Sequence, residues 1–114
     1  MIRDLEAIAH VVHEAVRAWS QAHAQTDIPD WGNAPEWMKS STRDSVQFVL
    51  EHPKAGPGAQ HTQWMDQRLK AGWTYGPKRD EDLKHHPMLV PFEQLPEFEK
   101  QKDALVCAIV EALC

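Results

Sequence analysis

Near the start of the chain, the apolar residues Leu5, Ile8, Val12, Ala15, Val16 and Trp19 recur every three or four positions. That spacing draws one stripe along a helix of about 3.6 residues per turn and predicts a first helix from residue 4 to residue 24. Between Thr26 and Pro35 the pattern breaks. Two prolines, a glycine, Asp27, Asp30 and Asn33 mark an irregular connection there, with Trp31 as its anchor. Ser41-Thr42-Arg43-Asp44 has the form of a capping box. It precedes Val46, Val49 and Leu50, and His52-Pro53 closes the pattern, so a short second helix is expected to start at Ser41. The run Lys54-Ala-Gly-Pro-Gly58 is expected to hold no regular structure, and periodicity resumes from Ala59 to Ala71 in a third helix stopped by Gly72.

From Trp73 to Leu95 the chain has Gly76-Pro77, a charged run, His86-Pro87 and Pro91. These exclude a long helix and leave a structured loop, with room for extended pieces around Met88 to Phe92. Pro96 suits the first turn of a last helix, with Glu97 and Glu99 at its positive end and Phe98, Leu105, Ile109 and Leu113 as its buried stripe. The expected fold class is mainly α: one domain over residues 1–114, of about four helices, with a long structured loop that has room for short strands.

The bulk composition narrows the function classes. At 114 residues the chain can bury one core. With 42% apolar and 25% charged residues it is an ordinary globular composition, and its apolar runs are far shorter than a membrane span. Met1 to Ile8 interleaves charges with apolar residues, unlike a signal peptide, so no membrane partner and a cytoplasmic location are expected. Cys107 and Cys114 lie seven apart on a helix, roughly 10 Å along its axis, which is too far for a bridge, so both are expected as thiols. A net charge of −5 argues against a nucleic-acid polymer as partner. Residues 68 to 86 nevertheless hold five basic side chains against three acidic ones. That island suits a compact anion, or is a solvated charged loop.

The segment from His61 to Arg79 concentrates the candidate chemistry. His61, Trp64 and Arg68 share one side of the third helix, while Met65 and Leu69 point about 100° away. The helix can therefore bury Met65 and Leu69 and hold Trp64 and Arg68 outward as a ledge. An indole face stacks on a flat ring and a guanidinium grips phosphate oxygens, which suits a nucleotide. The alternative is a packed tryptophan under a snorkelling arginine. Trp73 and Tyr75, in an extended pair, point the same way and either wall a cavity or fill a core gap. Lys78 and Arg79 either bring positive charge to a phosphate or are ordinary exposed bases. His86, before Pro87, is a fixed loop residue able to donate to an anion.

No metal-ligand spacing is present among the seven histidines and two cysteines: there is no HExxH and no CxxC. His13 and Arg17, four apart on the flank of the first stripe, suit a structural hydrogen-bonding role. No nucleophile elbow, Walker loop or carboxylate dyad is seen, so no catalytic residue and no cofactor is expected. The chemistry of the chain is recognition.

With these residues the sequence resembles the RyR domain family, the repeat unit named for ryanodine receptor calcium-release channels and found as a stand-alone domain in bacteria and phages. The matching signs are His13-Glu14-x-x-Arg17-Ala18, Ala34-Pro35-Glu36-Trp37, the serine-rich stretch leading to Val46 and ending at Pro53, and His61-x-x-Trp64. They continue through Gly72-Trp73-x-Tyr75-Gly76, His86-Pro87, Leu89-Val90-Pro91-Phe92, Leu95-Pro96 and Lys102-Asp103. The resemblance implies a small helical fold and a non-enzymatic role. In the channels the units pair in tandem, and such a pair is similar to an adenine-nucleotide module in which the tryptophan stacks on the ligand and basic residues meet its phosphates. Carried over, stacking falls on Trp64 and phosphate contacts on Arg68, Arg79 and His86. The implied ligand is an adenine nucleotide or an ADP-ribose-like signalling molecule, and the stand-alone members imply a sensor or sequestering protein in a bacterial or phage defence setting. With one unit here, a homodimer would restore the pair. The competing expectation is a protein-interaction module docking through Trp31, Trp37 and the 73–92 loop.

Overall fold

The computed structural model describes residues 4–23 and 27–114. Its elements run α1 (Leu5–Ala22), a 3-10 turn (Trp31–Asn33), α2 (Glu36–Glu51), α3 (Pro57–Lys70), β1 (Thr74–Tyr75), β2 (His85–His86), a second 3-10 turn (Phe92–Gln94) and α4 (Glu97–Leu113). This is the mainly helical class expected. Residue 24, the expected end of the first helix, and Thr26, the expected start of the connection, lie outside the described residues.

Helix α1 starts where the carboxylate of Asp4 accepts the Glu6 N–H at 3.0 Å, satisfying one of the amides that a helix N-terminus leaves free. Its stripe buries Ile8, Ala9 and Val12 against Val46 and Val49 of α2 and Val106, Cys107 and Val110 of α4, and these form the apolar core. A polar clamp fixes the following loop to the same helix. His13 Nε2–H donates to Pro29 O at 2.7 Å, Arg17 Nε–H donates to Ile28 O at 3.1 Å, and Glu14 accepts the Trp31 N–H at 2.9 Å. The structural role expected for His13 and Arg17 is thus visible atom by atom.

Several expectations are corrected. Helix α2 begins at Glu36, not at Ser41. Pro35 occupies its N-cap and Glu36 its first turn, while Ser41 and Ser45 are buried inside the helix. The serine-rich stretch is not a cap, because its hydroxyls find partners within the folded helix: Thr42 donates back to Met38 O at 3.2 Å, and Ser41 donates to Gln67 Oε1 at 2.8 Å. Helix α3 begins at Pro57, inside the run expected to be irregular, since proline at the first helical position gives up only an amide with no intrahelical partner.

The two short strands lie at 74–75 and 85–86, not around Met88 to Phe92. They pair in parallel with Thr74 opposite His85 and Tyr75 opposite His86. Gly76 closes this pair, since a Cβ there would stand 2.5 Å from that of His85.

The buried face of α4 is also displaced. Glu99, Val106, Cys107 and Val110 face inward. Phe98, Leu105, Ile109 and Leu113, the expected stripe, are only partly buried on its flank. That rotation of about one residue, some 100° on a helix, carries two acids and a lysine to the interior.

Candidate ligand-binding site

A cavity of about 180 Å³ lies between all four helices and the 73–95 loop. Helix α3 gives it Gln60, His61, Trp64 and Arg68, and α4 gives Glu99, Lys102 and Asp103. Trp37 and Ser41 come from α2, and the loop adds Trp73, Arg79 and His86. His61, Trp64 and Arg68 do share a face, but that face is the inner one: His61 and Arg68 are 3% and 6% exposed, while Leu69, expected in the core, is 49% exposed. The expected outward ledge is therefore a cavity wall. With α4 presenting polar side chains across from it, the polar face of α3 packs inward and its apolar Leu69 is left to solvent.

The end of α3 places the next aromatic. Gly72, at φ 93°, takes the left-handed conformation, and the Trp73 N–H donates to Arg68 O at 2.9 Å while the Gly72 N–H donates to Leu69 O at 3.0 Å. This Schellman turn folds Trp73 back over the helix it has just left. Trp73 is 6% exposed and Tyr75 is 58% exposed, so the two rings do not point the same way. The reason is that Trp73 belongs to the turn and only Thr74 and Tyr75 to the strand. Tyr75 and the exposed Lys78 lie outside the cavity lining, whereas Arg79 and His86 are within it.

The Arg68 guanidinium sits between two indoles, 5.1 Å from the Trp37 ring centroid and 5.8 Å from that of Trp73. Its one hydrogen bond among the described residues, NH2 to Gln67 Oε1 at 3.1 Å, belongs to a small relay in which Gln67 also accepts from Ser41 and donates to Asp44. Among the described residues no carboxylate lies within ion-pair distance of Arg68, and its buried Nε–H has no acceptor. The buried Nε–H of Arg79 has none either, and its NH2 reaches Glu81 only at 3.6 Å. Burial holds both guanidiniums below their ordinary pKa, and for Arg68 the charge of Arg79 adds to the effect. Two arginines close enough to repel, neither with a full counter-charge, make an electropositive end to the cavity.

His61 and His86 act as neutral hydrogen-bonding groups. His61 Nε2–H donates to Val90 O at 2.7 Å, which leaves Nδ1 bare. Burial pushes its pKa down. His86 Nδ1 accepts the Met88 N–H at 3.1 Å, so in the neutral ring Nε2 carries the hydrogen. Burial, with the nearby Arg79 and Lys102 charges, pushes His86 down to about 4. Trp64 is stacked with His61 at 5.5 Å and meets His86 edge-on at 5.0 Å, which fixes its ring in the wall.

Reading the sequence alone missed Gln60, Glu99, Lys102 and Asp103. Lys102 Nζ pairs with Glu99 Oε2 at 2.6 Å, and Asp103 Oδ2 lies 3.7 Å from His61 Nδ1. Burial, aided by Glu99 and opposed by Lys102, pushes Asp103 up to about 7. The available signal was phase: Glu99, Asp103, Val106 and Val110 fall at helical spacing, a stripe obscured by its acids beside the more apolar run at 98, 105 and 109.

The arrangement offers guanidinium and imidazole donors, aromatic walls and buried acceptors in one enclosure. Among the described residues no group of three or more metal-binding side chains is found, and no helix is long and apolar enough to cross a membrane. Compared with known families, residues 58–113, from α3 to the end of α4, match the model described as RyR domain.

Proposed function

Over that span this chain belongs to the RyR domain family, and from this premise we propose that it is a non-catalytic binding domain for a nucleotide-like anion. The ligand class that fits best is an adenine nucleotide or an ADP-ribose-like signalling molecule, held by a protein that senses or sequesters it. One observation carries the reading: buried Arg68 and half-buried Arg79 meet a cavity with Nε–H groups that have no acceptor among the described residues and with incomplete counter-charge. Leaving buried donors unmatched costs roughly 1–3 kcal/mol each, more for a charged group, and a bound phosphate removes that cost. Trp64 and Trp73 supply flat apolar walls, and neutral His86 supplies a further donor.

Size refines the proposal. At about 180 Å³ the cavity is below the roughly 300–1,000 Å³ of pockets that enclose a drug-sized ligand. It encloses only part of a nucleotide, reaching both its phosphate and its ring or sugar, and the remainder lies at its mouth. The interaction-module reading is weaker on the same evidence. Trp37 has Arg68 over its ring, and Trp31 lies beneath Lys39 and Arg43, at 5.5 and 5.8 Å, so each indole already has a cation from this chain against it.

Calorimetric titration with ATP, ADP, AMP, ADP-ribose and cyclic ADP-ribose tests the reading. At least one is expected to bind with micromolar affinity or better and to lose tenfold or more in Trp64→Ala. Absence of heat with every compound contradicts it. The tandem pairing implied by the family further suggests a homodimer, for which light scattering at micromolar concentration should return twice the mass of one chain; a monomer mass removes that part alone.

A further inference from the structure

The cavity has a second chemical character at the end formed by α3 and α4, opposite in sense to the arginines. Gln60 is 4% exposed, lines the cavity, and its Oε1 has no hydrogen-bond partner among the described residues. Asp103 also lines it, with its side chain only 13% exposed, and no hydrogen bond to its carboxylate is found among the described residues. The groups around Asp103 explain why. Lys102, the adjacent cation, is engaged with Glu99 at 2.6 Å. His61, the side chain facing it from α3, has committed its hydrogen to Val90 O and turns a bare Nδ1 toward the acid at 3.7 Å. At that distance no hydrogen bond joins them, and with the carboxyl ionised an acceptor faces an acceptor, which satisfies neither.

We infer that Gln60 and Asp103 form an acceptor end of the cavity that selects ligands whose ring or sugar presents N–H or O–H donors. This rests on the nucleotide reading above and specifies it. The phosphate end supplies affinity for any anion of suitable size, whereas the acceptor end discriminates among them. Discrimination of this kind is steep, because a ligand lacking the donor leaves buried acceptors unpaired. Two sources share this chemistry: the exocyclic amine of an adenine-type base and the hydroxyls of a ribose.

The test compares ADP with purine riboside diphosphate, which carries hydrogen in place of the amine, and with 2′-deoxy-ADP, which lacks a hydroxyl. Titrations use the wild-type chain, Asp103→Asn and Gln60→Met. The wild type is expected to favour ADP at least tenfold over one of the two analogues, and the analogue that loses identifies the group read. In both variants that preference should shrink severalfold, with the melting temperature of each confirming that it folds. Equal affinity of the wild type for ADP and both analogues overturns the inference and leaves the nucleotide reading standing, as does an undiminished preference in both variants. Should no nucleotide bind at all, the nucleotide reading fails and thermal stability decides the acceptor end. At pH 8 Asp103→Asn should melt higher than the wild type if the carboxylate lacks a partner in the protein. A lower melting temperature would show that it has one and overturn the inference.

Discussion

Arg68 is the residue on which the site turns, and its surroundings separate its contribution to binding from its contribution to folding. A guanidinium held by two indoles and one amide, without a carboxylate, gains little net stability from its charge, so an unbranched apolar side chain of similar length fills the same slot. Arg68→Met is therefore expected to keep its melting temperature within a few degrees of wild type and to bind the best nucleotide at least tenfold more weakly. A collapse of thermal stability would assign the residue to the scaffold instead.

His86 makes a prediction about pH. Its folded pKa of about 4 lies below its ordinary 6.5, so below pH 6.5 the unfolded chain takes up a proton that the folded chain refuses. Stability contributed by neutral His86 is complete above pH 6.5 and is lost as pH falls toward 4. In His86→Gln the slope of unfolding free energy against pH in that window should be shallower; an unchanged slope would mean that the imidazole titrates normally. At this scale the sequence showed the identities of Trp64, Arg68, Arg79 and His86 as a group but not their direction. Asp103 and Gln60 were hidden, because whether a side chain is unpartnered depends on neighbours from another helix.

Among the elements, the turn after α3 most directly connects local sequence to the site. Gly72 in the left-handed region allows the two terminal hydrogen bonds that set Trp73 over Arg68. Alanine there adds a left-handed penalty of about 1–2 kcal/mol, although Lys84 side-chain atoms no nearer than 3.7 Å leave room for a methyl group. Gly72→Ala should therefore lower the melting temperature by several degrees, whereas Gly58→Ala, in the first turn of α3 with only ordinary contact to Phe92 at 3.6 Å, should leave it unchanged or raise it. Equal effects of the two substitutions would contradict the assignment of Gly72 to the turn.

This stop, the stripe of α1 and the proline at the head of α4 were legible because each depends on chain-local physics. The start of α2 and the phase of α4 were not. A serine-rich segment reads as a cap until its hydroxyls are seen to bond along and between helices, and a stripe interrupted by Glu99 and Asp103 reads as surface until a polar cavity is found beneath it.

At the scale of the whole molecule, the 114 residues divide their interior between two environments. An apolar core joins α1, α2 and α4 around Ile8, Val46 and Val110, and next to it a polar, aromatic-walled cavity opens among the helices and the 73–95 loop. A small domain gains little stability from a buried region in which guanidiniums and acceptors are left unmatched, so such a region is best explained by what it binds. Composition could show that a basic island exists in an acidic chain, but not that Arg68 and Arg79, eleven residues apart in the sequence, converge on one enclosure. The most direct test is a crystal structure of the protein with ADP-ribose. The account expects phosphate oxygens within hydrogen-bond distance of Arg68 and Arg79 and the flat ring against Trp64, with the cavity filled. A ligand bound elsewhere on the surface, with both guanidiniums untouched, would contradict it.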